Sequence, residues 1–334
     1  MSDIKTEANP FYHWVNLVQP RLGAQVVYTN DDFFAAKERL IDPADPVFIA
    51  GKFDDNGKWM DGWESRRRRE PGHDHCIVRL GAAGIIHGVD IDTTHFTGNY
   101  PPAASIEACT SDDVIPADSA EWQEIVAKTD LAGDSHHYLS IHSDERYTHL
   151  RLNIYPDGGI ARLRVYGEIQ TEWDRYDAAQ NLDLLAMTNG GRAVACNDEH
   201  YGSMHNLNAP GRGVNMGDGW ETRRRRAPGN DWVIMALGHN GEIDSIEIDT
   251  AYFKGNYPDR ASIQAACVSN PDIASIATHS LSWDILLPEV KLEMDARHEF
   301  REQIRPIGAI NYVRLNIFPD GGVSRLRMFG RISC

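Results

Sequence analysis

The sequence predicts an all-β protein made of two tandem β-sandwich domains of the antiparallel sandwich or jelly-roll kind. Three observations carry this: the chain repeats itself, each copy holds many short apolar stretches, and helical signal is scarce. Residues 61–108, DGWESRRRREPGHDHCIVRLGAAGIIHGVDIDTTHFTGNYPPAASIEA, return as residues 218–265 at a fixed offset of 157. There is no gap, and 28 of the 48 positions are identical. RLNIYPDGGIARLRVYG at 151–167 returns as RLNIFPDGGVSRLRMFG at 314–330, with 12 of 17 identical at an offset of 163. A unit of ~150 residues present twice is a duplicated domain, because solenoid units run only ~20–50 residues. The expected domains are residues 20–170 and 188–334. Weaker matches pair Trp122 with Trp283, His136 with His298, and Asn30-Asp31 with Asn197-Asp198. The last has an offset of 167, so the first copy carries about ten more residues ahead of its DGWE motif.

The elements follow in order. Asp31-Asp32 can cap a helix over Phe33 to Leu40. Ile86, Val89 and Ile91, matched by Ile243, Ile246 and Ile248, mark a strand. Leu150, Leu152 and Ile154 alternate with Arg151 and Asn153, giving one buried and one wet face. Pro156-Asp157-Gly158-Gly159 then reads as a turn, and Ile160, Leu163 and Val165 continue in a second strand, a hairpin-like unit present in both copies. Residues 171–191 read as a short helix or irregular crossover stopped by Gly190-Gly191. Leu286 to Phe300 is ambiguous between helix and strand.

Composition narrows the function. The 334 residues hold 33 Lys plus Arg against 49 Asp plus Glu, a net charge of -16. Such a chain repels polyanions, so neither nucleic acid nor an anionic membrane is an expected partner. No apolar run approaches the ~18 residues of a membrane span, and the start, MSDIKTEANPFYHW, has no apolar signal region, so a cytoplasmic location is expected. Cys76, Cys109, Cys196, Cys267 and Cys334 form no C-x-x-C pair and are too sparse for a disulfide framework.

Two repeated polar blocks are the candidate chemistry. Asp61 to Arg69 recurs as Asp218 to Arg226, with four consecutive arginines in each. In an extended segment Arg66 and Arg68 point one way and Arg67 and Arg69 the other, so one pair can face a cleft while the other braces the fold. The second block runs from Ile91 to Pro101 and recurs from Ile248 to Pro258, with Tyr252 in place of His95. His73-x-His75 and His136-His137 could offer imidazoles to a metal, but no spacing motif groups the 14 histidines.

The paired GWE[ST]RRRR, IDT-x-x-F-x-GNYP and RLNI[YF]PDGG[VI]-x-RLR blocks resemble allantoicase, and the resemblance spans essentially the whole chain. It implies two jelly-roll domains similar to galactose-binding domains, joined in a subunit that forms homo-oligomers. It also implies hydrolysis of allantoate, a small-molecule substrate, to (S)-ureidoglycolate and urea. Allantoate carries one carboxylate and two ureido groups, so arginine forks and amide or carboxylate partners suit it. On that chemistry Arg66, Arg68, Asn99 and Tyr100, with Arg223, Arg225, Asn256 and Tyr257, are the expected substrate-binding residues. Glu64, Asp92 and His95 are the expected proton-transfer groups of the first copy, and Glu221 and Asp249 those of the second. A competing assignment gives the shuttle role to His200 or His298. No cofactor is assigned, and a divalent metal at Glu64 and Asp92 stays an open alternative. A hydrolase of another ureido acid, or a non-catalytic carbohydrate-binding protein, are the other readings; the absence of an export signal and the Arg- and Asp-rich motifs disfavour the latter.

Overall fold

The computed structural model describes residues 9–177 and 179–333, in two compact units, one ending at Gln170 and one beginning at Thr171. Each unit is a jelly roll organised by one 19-residue strand, Asp74–Asp92 in the first and Asp231–Asp249 in the second. The N-terminal half of Asp74–Asp92 pairs with Gln25–Thr29 and Arg146–Tyr155, and the latter pairs onward with Ala103–Cys109 and then Gln123–Asp130. Its C-terminal half pairs instead with Arg162–Ile169 and His136–Ser140. A strand that serves two sets of partners must bend between them. Between the two halves lies Gly81-Ala82-Ala83-Gly84, where the register with Arg146–Tyr155 shifts and a Cβ on Gly84 would lie 2.3 Å from the Glu168 carbonyl oxygen. The second unit repeats the order with Ile310–Phe318, Arg260–Ala266 and Asp284–Lys291 on one half and Arg325–Ile332 and Arg297–Phe300 on the other.

Alternation decides what is inside. Leu150, Leu152 and Ile154 are fully buried, as are Ile86, Val89 and Ile91 from the long strand and Leu163 and Val165 across from them. Arg162 is also buried, at 2 % exposure. Its guanidinium donates to the Ala44, Asp61 and Ala161 carbonyls and ion-pairs with Asp61 Oδ2 at 2.8 Å. Arg325 and Asp218 make the same pair at 2.8 Å. The leading Asp of DGWE is thus tied to the first Arg of RLR in both units, which couples two motifs distant in sequence. A buried charge needs such complete satisfaction.

Three expectations change and one ambiguity is resolved. The strands flanking PDGG do not pair with each other. Arg146–Tyr155 and Arg162–Ile169 pair with opposite halves of the long strand, so the turn crosses between layers instead of closing a hairpin. The region from Phe33 to Leu40 is not an α-helix; only a 3-10 turn, Lys37–Ile41, forms, because Phe34 and Ala35 are held by backbone bonds to Glu64. Residues 286–300 are strand, divided between Asp284–Lys291 and Arg297–Phe300. The histidine match also shifts by one: register pairs His137 with Ile91 and His298 with Ile248, so His137, not His136, corresponds to His298. In the crossover, Leu182–Asp183 is a short strand and Met187–Asn189 a 3-10 turn ended by Gly190 at φ 88.

The extra residues of the first copy include a small ribbon, Phe53–Asp54 paired with Gly57–Lys58.

Candidate active site

Trp63–Glu64 is a two-residue strand gripped on both edges. Glu64 pairs with Gly159 from the PDGG turn on one side and bridges to Ala35 on the other. Trp63 is fully buried and its indole N–H donates to the Asp31 carbonyl at 2.8 Å. The carboxylate of Glu64 is therefore aimed by a fixed backbone. It meets the GNYP loop, where Asn99 Nδ2 donates to Glu64 Oε1 at 2.8 Å. Asn99 is itself anchored, because its carbonyl accepts from Gly159 N at 2.7 Å. Gly159 must lack a side chain: a Cβ there would sit 2.0 Å from the Phe96 ring. Burial pushes the Glu64 carboxyl above its ordinary value, and the Asn99 hydrogen bond opposes this.

The second unit repeats the arrangement. Glu221 pairs with Gly322 and bridges to Gly202, and Asn256 Nδ2 donates to Glu221 Oε1. Here the pair lines an open cavity of about 490 Å³ together with Tyr201, Arg224, Tyr257 and Asp320. That volume lies within the ~300–1,000 Å³ of small-molecule sites. Tyr257 lines this cavity, whereas Tyr100 of the first unit packs against Met60, Phe96 and Ala161.

The arginine blocks divide, but opposite to expectation. Arg66 Nε pairs with Asp31 at 2.7 Å, and Arg223 Nε with Asp198 at 2.7 Å. Arg68 pairs with the buried Asp74 at 2.5 Å, and Arg225 with the buried Asp231 at 2.7 Å. Those four brace the block against its own sheet. Arg67 and Arg224 are exposed and have no carboxylate partner among the described residues, and Arg224 lines the Glu221 cavity. The block has no regular strand pairing beyond Glu64 and Glu221, so simple alternation could not tell which pair is bound.

Asp92, His95 and Asp249 do not join Glu64 or Glu221. Asp92 is 2 % exposed and its Oδ1 accepts from Thr94 N at 2.7 Å. Asp249, 1 % exposed, does the same for Ala251 N at 2.8 Å and pairs with Arg212 at 2.9 Å. Both hold the turn after the long strand. His95 sits at φ 70 and Tyr252 at φ 71, each with its backbone N–H on an Asp, Asp134 or Asp295. The His95 ring faces the Pro46 carbonyl at 3.3 Å. His298 has both ring nitrogens on backbone, to Ile248 O and Glu293 N, as His137 has to Ile91 O and Ala132 N. His200 is an exposed ring edge-on to Tyr201 at 4.5 Å between centroids.

A metal finds no donor set. Among the described residues no group of three or more His, Cys, Asp or Glu side chains could hold an ion. The His73 and His75 rings are 6.2 Å apart, and His136 Nδ1 is taken by Asp90 at 2.8 Å. The described residues do not fit a resident divalent ion.

Known proteins resemble the whole chain. The sequence family described as Allantoicase repeat matches residues 15–170 and again 182–333. A "Probable allantoicase" of Pseudomonas syringae pv. syringae is 56 % identical over 330 residues, covering 99 % of this chain and all of that protein. "Probable allantoicase 1" of Burkholderia mallei is 57 % identical over 319 residues, covering 96 % of this chain and 95 % of that protein. The crystal structure of allantoicase from Saccharomyces cerevisiae superposes with a TM-score of 0.80 at 37 % identity, over 95 % of this chain and 92 % of that one. The two matched repeats coincide with the two jelly rolls and their paired Glu–Asn loops, and the chain belongs to the allantoicase family.

Proposed function

We propose that the chain, which hydrolyses allantoate to (S)-ureidoglycolate and urea, does so in the cavity around Glu221 of the second repeat. The observation that carries this siting is a carboxylate held by an amide beside an arginine without a carboxylate partner, in an open cavity of about 490 Å³. Arg224 presents a planar fork to the substrate carboxylate. Asn256 occupies Oε1 of Glu221, which leaves Oε2 to move a proton. The central carbon of allantoate carries the carboxylate, a hydrogen and two ureido groups. As one C–N bond breaks, its electron pair leaves with the ureido nitrogen. Water adds its oxygen to the carbon, Glu221 takes the proton that water loses, and the departing nitrogen receives it to become urea. One carboxylate serves both transfers, so the step needs no histidine.

The first repeat has the same Glu64–Asn99 pair, but the Phe53–Lys58 ribbon stands beside it: Lys58 and Asp54 both act on the Glu64 charge. This favours the second repeat as the open one. Self-association into a homo-oligomer is supported by apolar side chains of the same insertion, Val47, Phe48, Ile49 and Phe53, exposed at 52, 46, 45 and 69 %. No helix among the described residues is long and apolar enough to cross a membrane, and a cytoplasmic location remains part of the reading.

The test is urea release at saturating allantoate by Glu221→Gln and Glu64→Gln. Loss of a proton-transfer group costs ~10²–10⁴-fold in turnover. That loss is expected in Glu221→Gln alone; finding it only in Glu64→Gln would move the chemistry to the first repeat.

A further inference from the structure

The first repeat has a cavity of about 510 Å³ that the strand-end site does not use. It lies on the face of the sheet turned away from the core, because Arg151, Asn153 and Tyr155 line it while Leu150, Leu152 and Ile154 point inward. Its floor is polar yet buried: Ser105 and Asn153 are each 3 % exposed. Asn153 Nδ2 donates to Glu107 Oε2 at 2.9 Å, and its Oδ1 stands 3.2 Å from His73 Nε2. Arg151 pairs with the same Glu107 oxygen at 2.8 Å and stacks on Trp122 at 4.6 Å.

The second repeat shows that the fold does not need this opening. Strand register places Trp232 where His75 is, Gln264 where Glu107 is, Ile285 where Glu124 is and Phe318 where Tyr155 is. Arg314, the counterpart of Arg151, stacks on Trp232 at 4.5 Å and is capped by Ala277 and Ser280 at the end of the helix Ile273–His279. Ile276, Tyr312 and Trp283 pack an apolar cluster around it. What is left nearby is a recess of about 230 Å³ lined by Asn197, Asp231 and the arginine block. One face therefore has two solutions, one filled and apolar, one open and polar. The fold closes this face with apolar packing in one repeat, so a polar opening kept in the other points to a ligand.

The charges of the wall identify that occupant. Arg151 is neutralised by Glu107 and Arg68 by Asp74, so no cation is left to take an anion. Beside the Glu124 carboxylate, the wall offers the His75 ring, whose proton affinity is lowered by burial and by Arg151, the ring nitrogen of His73 turned away from Asn153, and the hydroxyls of Ser105 and Tyr155, which bond each other. They offer acceptors and donors side by side. We propose that the first repeat carries a second small-molecule site, separate from the strand-end Glu–Asn site, for a neutral planar ligand bearing amide or urea groups.

The experiment uses the intact protein and hydantoin, a neutral cyclic ureide, with glycolate as the anionic control. Binding is read from the ring resonances of His73 and His75, so the result does not depend on where turnover occurs. Hydantoin is expected to shift them saturably and glycolate to leave them in place. His75→Trp and Glu107→Gln copy the second repeat, so both are expected to fold. Each should weaken hydantoin by roughly tenfold or more while allantoate turnover stays near normal. Glu221→Gln should lose turnover and keep hydantoin binding. Unchanged affinity in both variants, or a response to glycolate instead, overturns the proposal. Loss of turnover in a folded His75→Trp protein also overturns it, since that would place the chemistry in this cavity.

Discussion

Asn99 Nδ2 donates to Glu64 Oε1 across 35 residues of chain, and Asn256 repeats that bond to Glu221 at the same separation. The amide fixes one carboxylate oxygen and favours the charged form of the acid. Replacing Asn256 by Asp removes the donated hydrogen bond and puts a like charge against Glu221, so turnover should fall. Asn256→Ala should lower turnover by loosening the carboxylate. Turnover in Asn256→Asp and Asn256→Ala equal to the parent's would remove the Glu221 pair from proton transfer.

Arg224 and Arg223 are adjacent in sequence but differ in what they touch. Arg224→Ala should raise KM for allantoate strongly, since truncating one partner of a charge pair costs ~2–5 kcal/mol. Arg223 is 56 % exposed and pairs with Asp198, so Arg223→Ala should leave kinetics nearly unchanged. Steady-state kinetics on both variants decides, and the reverse ranking would return the site to the expectation read from the sequence.

With the chemistry placed at Glu221, the part proposed for Asp249 is structural. Its carboxylate is buried, caps Ala251 N and pairs with Arg212. Asp249→Ala strips the turn of its cap and should lower the unfolding free energy by the ~1–3 kcal/mol typical of an orphaned buried donor. The fraction that stays folded should turn over allantoate near the parental rate. A variant of normal stability with no activity would show that Asp249 is catalytic after all.

His136 gives the first repeat a pH-dependent contact. Its Nδ1 lies 2.8 Å from Asp90 Oδ2, and that hydrogen bond, with the charges of Asp90 and Asp92, raises its pKa from 6.5 to about 9. A raised histidine pKa means that the folded state binds the proton more tightly than the unfolded chain. The contribution is full below pH 6.5 and disappears as pH rises through about 9. His136→Gln should therefore be less stable than the parent at pH 6, with the gap closing toward pH 10. The second repeat has Arg297 paired with Glu247 at 3.4 Å in this place, so His136→Arg should retain the contact across that range. Thermal unfolding at the two pH values reads both outcomes, and an equal gap at each would remove the linkage.

The sequence by itself determined the duplication, the all-β class and the two loops that meet at the site. Glu64, Asn99, Glu221 and Asn256 stand out because they lie in the two blocks the sequence repeats, but that each Glu meets the Asn of the other block was not legible. Alternation in RLNI foretold the buried leucines, since side-chain direction in a strand depends on position alone. Pairing partners were not legible. The PDGG flanks look like hairpin strands locally, and only the bent 19-residue strand, which offers both of its halves, draws them into different layers.

Tertiary structure alone decided the roles of identical side chains. Arg66, Arg67 and Arg68 are the same residue in one run, and the carboxylates of Asp31 and Asp74 select which two are bound. Asp92 and Asp249 read from sequence as acids at a strand end, and only the fold shows their carboxylates accepting from the Thr94 and Ala251 amides. The exchange of His75 for Trp232 was visible in the repeat, but that it opens one face and fills the other depends on register and on the helix that covers only the second. Local pattern fixes which way a side chain points; what it meets there is set by chain segments distant in sequence, and charge and hydrogen bonding then determine its function.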